Sequence, residues 1–218
     1  MRVVLLGPPG AGKGSLAALC QTRLQLQHLS TGALFRAEIA QGSALGRRVK
    51  RYVTGGLLVP DRLVVEVMAA RLTTKVLTEG FVLDGFPRTQ GQAVGLDRVL
   101  GLKRRPLDGA IYLKTPQTLL VDRLSGRRVC ASCGANFHIR TMRPRRVGQC
   151  DHCQGTLIVR KDDQPATIRK RLAVDREAST PLLAYYERQG TLYPVTGAGR
   201  LHTVFERLRR LCQRQGWL

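Results

Sequence analysis

Directly after the apolar run Val3-Val4-Leu5-Leu6 comes Gly7-Pro8-Pro9-Gly10-Ala11-Gly12-Lys13-Gly14-Ser15, and a helical pattern through Leu16, Leu19 and Cys20 follows. Glycines let consecutive backbone N–H groups turn toward one anion, the helix start adds its positive dipole end, and Lys13 brings a full charge for β- and γ-phosphates. The general phosphate-loop pattern is not met to the letter, because Gly14 follows the lysine and the hydroxyl arrives one residue later, at Ser15. Strand, glycine loop and helix in that order still point to phosphate binding.

A second constellation is Cys130-x2-Cys133 and Cys150-x2-Cys153, two pairs separated by sixteen residues. That gap falls within the roughly 15 to 20 residues expected when two Cys-x-x-Cys knuckles share one tetrahedral ion. Four thiolates favour zinc, and a closed four-ligand shell makes the ion structural. Disulfides and an iron or iron–sulfur site stand beside zinc as alternatives on the same spacing. The other two cysteines, Cys20 and Cys212, sit at apolar helical positions and read as core residues.

Phosphoryl transfer requires two substrates held in line, water excluded, and cations gathered round the transferring group. The chain offers such cations in motifs: Leu83-Asp84-Gly85-Phe86-Pro87-Arg88, Asp122-Arg123 through Gly126-Arg127-Arg128, Arg160-Lys161-Asp162-Asp163, and Arg169-Lys170-Arg171. An acid at a strand end, Asp84, could order Mg²⁺. None of the four histidines is placed as a catalytic base.

These residues need a frame. Short apolar runs at residues 3–6, 80–83, 110–113 and 192–195 alternate with helical stretches, the pattern of an α/β fold with a parallel sheet. Val204, Phe205, Leu208, Leu211 and Cys212 share one face of a closing helix. Two stretches break the alternation. Residues 30–59 read as a helical insertion with a helix start at Ser30-Thr31 and a glycine stop, and residues 126–163, with the four cysteines, read as a small separate module.

The chain has 218 residues, 36 Lys and Arg against 15 Asp and Glu, and a net charge of +21, so its partners are expected to be anionic. No apolar run reaches the roughly 20 residues of a membrane-spanning helix, and the first residues lack the pattern of a signal peptide. A cytoplasmic location is therefore expected. The aromatics, five Phe, five Tyr and one Trp, do not alternate with the basic runs as a base-stacking platform would require. No membrane and no specific nucleic-acid partner is expected, and with no apolar face left unexplained the expected state is a monomer.

Taken in order, these motifs resemble the adenylate kinase family, specifically the bacterial long form with a zinc-binding lid. The resemblance rests on Gly7 to Ser15, Ser30-Thr31-Gly32 with Arg36, Gly56-Leu57-Leu58-Val59-Pro60-Asp61, Asp84 to Arg88 with Gln92, Arg123 to Arg128, the four cysteines and Arg160 to Arg171. It implies a P-loop kinase core of parallel sheet flanked by helices (residues 1–29, 60–125 and 164–218), a helical AMP-binding insertion (30–59) and a small β-rich zinc lid (126–163). It implies the reaction MgATP + AMP ⇌ 2 ADP, with ATP, AMP and ADP as partners and Mg²⁺ and structural Zn²⁺ as ions.

By the same resemblance Thr31, Arg36, Gly85, Arg88 and Gln92 would hold AMP, with Leu57, Leu58 and Val59 giving backbone contacts and Arg160 and Arg171 reaching the same side. Gly10, Ala11, Gly12, Lys13, Gly14 and Ser15 would hold ATP phosphates, Arg123 and Arg127 would act beside them, Phe137 would cover adenine and Gly199 would offer it a carbonyl. Lys13, Arg88, Arg123, Arg160 and Arg171 would neutralise the transferring group, and Asp84 would order Mg²⁺. The four cysteines, Cys130, Cys133, Cys150 and Cys153, would ligate zinc. Another nucleoside monophosphate kinase and a zinc-ribbon nucleic-acid-binding ATPase are the competing assignments.

The chain departs from the family's usual pattern at Ala33, where an acid commonly follows Ser-Thr-Gly, and at Arg62, where an acid is frequent after Pro60-Asp61. Its charge is also far more basic than the family's norm. These departures are expected to alter the open–closed balance, solubility or salt response while leaving the chemistry intact.

Overall fold

The computed structural model describes all 218 residues. Its centre is a parallel sheet of β1 (Arg2–Leu6), β2 (Gln27–Ser30), β3 (Phe81–Asp84), β4 (Gly109–Lys114) and β8 (Leu192–Thr196), in the order β2-β3-β1-β4-β8. β1 is flanked on both sides, Val4 lying opposite Leu83 of β3 and Ala110 of β4. A strand covered on both faces must be apolar at every position, which is why residues 3–6 form an unbroken run. Val4 and Leu6 enter one core with Leu83 and Phe86, while Val3 and Leu5 enter the opposite core with Val82, Leu208 and Cys212. Each such buried aliphatic contributes about 1.5–3 kcal/mol.

Helices cover the two faces: α1 (Lys13–Leu24), α4 (Asp61–Arg71), α5 (Thr74–Glu79), α6 (Gln90–Leu102), α7 (Gln117–Ser125), the long α8 (Pro165–Arg188) and α9 (Leu201–Arg214). α9 buries Val204, Phe205, Leu208, Leu211 and Cys212, the face read from the sequence. Cys20 and Cys212 are both fully buried, as core residues should be. Between β2 and α4 stand α2 (Thr31–Ala40) and α3 (Ala44–Gly55), which pack on each other. Ser30 caps α2 by accepting from the Ala33 N–H, and Ser43 caps α3 by accepting from that of Gly46. Gly56 ends α3 in the left-handed region, at φ 68°.

The cysteine segment forms a separate antiparallel sheet of β5 (Arg127–Cys130), β6 (Asn136–His138) and β7 (Leu157–Ile158), in the order β6-β5-β7. Its buried cluster is small, Cys130, Phe137 and Cys150, with Ala135 and Leu157 packed against it. A 3-10 turn, Lys161–Asp163, leads from it to α8, where Pro165 occupies the first turn. The four expected strands of the parallel sheet are present. β2 is an addition: an edge strand of Gln, His, Leu and Ser, half-buried throughout, it lacks the apolar run that announces the others.

Candidate active site

The glycine loop lies where the sheet order reverses. The chain runs from β1 to β2 and β3 on one side and to β4 and β8 on the other, and in open parallel sheets ligands bind beyond the carboxyl ends of the strands at such a point. Ala11 N–H bonds Pro8 O at 3.0 Å, and Gly10 and Gly12 take φ of 86° and 96°, conformations that favour glycine. A Cβ on Gly10 would stand 2.8 Å from the Leu120 carbonyl oxygen. Lys13 Nζ donates to the Gly7 carbonyl and, at 3.0 Å, to that of Pro8, so the lysine folds back over its own loop.

Asp84, at the carboxyl end of β3, faces the start of α1. A Cβ on Gly14 would meet its Oδ2 at 3.1 Å, so the bare glycine lets the acid approach the helix end. Ser30 Oγ donates to Asp84 at 3.2 Å, and His28 Nε2 lies 3.8 Å away. Burial raises the Asp84 pKa, but His28 and Lys13 outweigh it and hold the carboxyl below its usual value. An ionised carboxylate beside the phosphate loop suits a divalent cation carried in with a polyphosphate.

Beside the loop is a pocket lined by Thr31, Arg36, Leu57, Leu58, Val59, Gly85, Arg88, Gln92 and Arg171 among others, so it gathers nearly all the residues expected at the acceptor site. Their positions are set locally. Thr31 Oγ1 donates to Gly85 O at 2.8 Å, and Arg88 Nε donates to the same oxygen at 2.9 Å. Gln92 accepts the Arg88 N–H at 2.8 Å and donates to Asp61 at 2.9 Å, and Asp61 also takes the Thr89 hydroxyl at 2.8 Å. Gly56 lies so close to α8 that a Cβ there would meet Arg171 Cγ at 2.7 Å.

Between loop and pocket the cations converge. Lys13 senses Arg88 and Arg171, Arg36 senses Arg127 and Arg171, and Arg160 senses Arg127 and Arg36. Burial, then Arg127 and Arg36, pull the Arg160 pKa down to about 9. Its Nε is buried with no hydrogen-bond partner. A buried, unpartnered guanidinium N–H among other guanidiniums is a site built for an anion.

Burial lowers the Lys13 pKa from 10.5 to about 8, against the pull of Asp175 and Asp84. The folded protein therefore releases this proton before the unfolded chain does. A stability cost exists below pH 8 and is relieved as pH rises toward 10.5. A bound phosphate restores the charge. At pH 9, ATP binding is expected to take up a proton, seen as buffer-dependent heat in calorimetry and lost in Lys13→Met; heats independent of buffer would contradict it.

Three carboxylates with no assigned role in the sequence reading organise the cluster. Asp163 takes Arg127 in a two-pronged pair, Nε at 2.7 Å with Nη2 on the other oxygen, and also takes Arg171 Nη1 at 2.9 Å. Asp162 pairs Arg171 at 3.0 Å. Asp175, on α8, lines the pocket and faces Lys13, Arg88 and Arg171. Burial raises its pKa despite those cations. Asp162 and Asp163 belong to the Arg160-Lys161-Asp162-Asp163 motif, whereas Asp175 carries no local signal.

On the opposite side Arg123 donates to Ala11 O at 3.3 Å and to Gly199 O at 3.2 Å, bringing together three of the residues expected near ATP. Phe137, expected to cover adenine, is 6% exposed, packs with Cys130 and Cys150, and has its ring 6.1 Å from that of His152. Phe137 is the one aromatic in the small core of the cysteine module, where Ala135 and Leu157 pack against it and the two cysteines.

The four cysteine sulfurs lie within 4.8 Å of one another, with Cys130 to Cys153 at 3.4 Å and Cys133 to Cys150 at 3.6 Å. A tetrahedron with metal–sulfur bonds of about 2.3 Å has edges of about 3.8 Å, so the set fits a zinc-sized ion. The Cys133 N–H points to Cys130 Sγ at 3.5 Å and the His152 N–H to Cys150 Sγ at 3.4 Å, contacts that favour thiolates.

A phosphate loop at the switch point of a parallel sheet, an acceptor pocket beside it and a shared arginine cluster between them define a P-loop nucleoside monophosphate kinase. A family model described as Adenylate kinase matches residues 5–191. The chain is 44% identical over 214 residues to an adenylate kinase of Clostridium botulinum, covering 98% of this chain and 99% of that protein. It is 45% identical over 204 residues to one of Moorella thermoacetica, covering 94% of each, and 42% identical over 208 residues to one of Clostridium tetani, covering 95% and 96%. The chain belongs to the adenylate kinase family.

Proposed function

We propose that the chain catalyses MgATP + AMP ⇌ 2 ADP. An AMP phosphate oxygen attacks the γ-phosphorus of ATP, the bond from that phosphorus to the β–γ bridging oxygen breaks, and no proton need move through a protein base. The observation carrying this is the cationic cluster of Lys13, Arg36, Arg88, Arg127, Arg160 and Arg171 between the loop and the pocket.

In this scheme Gly10 to Ser15 cradle the ATP phosphates, with Arg123 and Arg127 beside them and Gly199 near the base. Thr31, Arg36, Gly85, Arg88, Gln92 and residues 57–59 receive AMP. Lys13, Arg88, Arg123, Arg160 and Arg171 neutralise charge on the transferring group, in a site where closure of residues 126–163 excludes water. Mg²⁺, when bound with ATP, supplies a clamp on the phosphate oxygens, and Asp84 is the carboxylate that would hold its shell. The four cysteines hold zinc as a structural ion. The scheme includes a cytoplasmic monomer acting on the cell's adenine nucleotides.

Presented with AMP, UMP, CMP and GMP in parallel, the protein is expected to phosphorylate AMP at least tenfold faster than the others, read as the new diphosphate by chromatography. Equal use of UMP or CMP would reassign the acceptor. Turnover is also expected to fall as salt rises from low to moderate ionic strength, because exposed cations that attract nucleotides are screened. A flat profile would show that the +21 charge does not steer substrates.

A further inference from the structure

Away from the catalytic cleft, an open groove of about 700 Å³ runs between α3 and α4. It is lined by Arg47, Arg48, Arg51 and Tyr52 on one wall and Pro60, Arg62, Leu63 and Glu66 on the other. Four guanidiniums thus face one carboxylate. Only Arg62 has an acidic partner, Glu66 at 2.9 Å. Arg47 donates to the Gly42 carbonyl at 2.6 Å, and Arg51 donates to the Tyr52 hydroxyl at 2.6 Å while lying 4.7 Å from the centre of that ring. Arg62 is also the position where the chain carries a base in place of the frequent acid, so the second wall of the groove has gained its charge.

Facing like charges repel, and a chain needing only solubility would disperse them. Guanidiniums on two walls of a concave groove match an anion whose charges are spread along its length, and their planar forks match phosphate oxygens. The volume lies within the range of small-ligand sites. We propose that this groove is a second anion site that binds a linear polyphosphate, either free or as the tail of a nucleotide, between α3 and α4. The groove adjoins the acceptor pocket through the chain: Leu57 N–H bonds Tyr52 O at 2.8 Å, and Pro60 follows Val59. An occupant would tie α3 to α4 at the segment that lines that pocket.

The test is calorimetric titration of the full-length protein with inorganic tripolyphosphate at low salt, with AMP and a non-transferable ATP analogue filling the catalytic cleft. Saturable binding at one site per chain is expected. The double variant Arg48→Gln/Arg51→Gln should weaken it about tenfold or more, while Arg145→Gln/Arg146→Gln, the same charge change on the cysteine module, should leave it within about twofold. All four positions are exposed, and unchanged basal activity in both variants will show that the fold is intact. The comparison between variants does not depend on which acceptor the enzyme uses. A nucleoside triphosphate with a non-adenine base distinguishes the sources: equal affinity means the phosphate chain alone is read, and tighter binding means that Tyr52 also meets a base. No saturable binding, equal loss in both variants, or binding of single-stranded oligonucleotide in place of tripolyphosphate would overturn the proposal.

Discussion

Arg88→Ala is expected to lower kcat about 10³-fold while leaving the protein folded. Arg88 stands between the two halves of the reaction. Its Nε is fixed on Gly85 O at 2.9 Å, its backbone N–H on Gln92 at 2.8 Å, and its charge is felt by Lys13, Arg171 and Asp175. It therefore lines the acceptor pocket while its charge reaches Lys13 at the end of the phosphate loop, where charge shifts during transfer. A cation that stabilises the transition state more than either ground state acts on kcat, with a smaller change in KM. The structural loss is one hydrogen bond to a carbonyl, about 1 kcal/mol, so the melting temperature should move little. Arg88→Lys should recover only part of the rate, because an ammonium cannot reproduce the forked contact while bonded to Gly85. Steady-state kinetics in both directions decide it. A loss below tenfold in Arg88→Ala would remove this residue from the transferring centre.

Stripping the metal should have the largest effect on structure. Three strands of four, three and two residues over a core of Cys130, Phe137 and Cys150 bury too little apolar surface to order themselves. A four-thiolate zinc site supplies on the order of 10 kcal/mol, which is folding free energy for the segment that holds it. Chelation, or Cys133→Ser, is expected to make residues 126–163 susceptible to protease, lower the melting temperature and raise the KM for ATP. That KM should rise more than the one for AMP, because Arg127 enters from β5 whereas Thr31, Arg88 and Gln92 do not depend on this module. Metal-free protein with an unchanged melting temperature and protease pattern would show that the cysteines do not hold the module together.

Legibility in the sequence followed how local each signal is. The glycine loop, the two cysteine pairs and the arginine motifs are carried by neighbouring residues and are readable without a fold. Val3 to Leu6 announced a central strand because a strand buried on both faces can be nothing but apolar. β2, an edge strand with polar residues, gave no such run. Asp175 lies on a helix where an acid every few residues is ordinary, and only the passage of α8 beside the pocket gives it Lys13, Arg88 and Arg171 as neighbours. Asp61 likewise acquires its role by reaching Thr89 and Gln92, some thirty positions away. For Phe137 a motif fixes where the residue sits along the chain, whereas the small core of its module decides where the ring packs. The groove between α3 and α4 has no local signal either: its arginines are unremarkable on either helix, and only the fold sets the two walls face to face.

The central claim is that the converged cations transfer a phosphoryl group to AMP and do not release it to water. Phosphorus NMR of the purified protein with MgATP and AMP tests it directly, since every phosphate is counted in one spectrum. Two ADP formed for each AMP consumed, with no inorganic phosphate and no reaction when AMP is omitted, is the predicted result. Inorganic phosphate appearing from ATP alone, or no ADP, would contradict it.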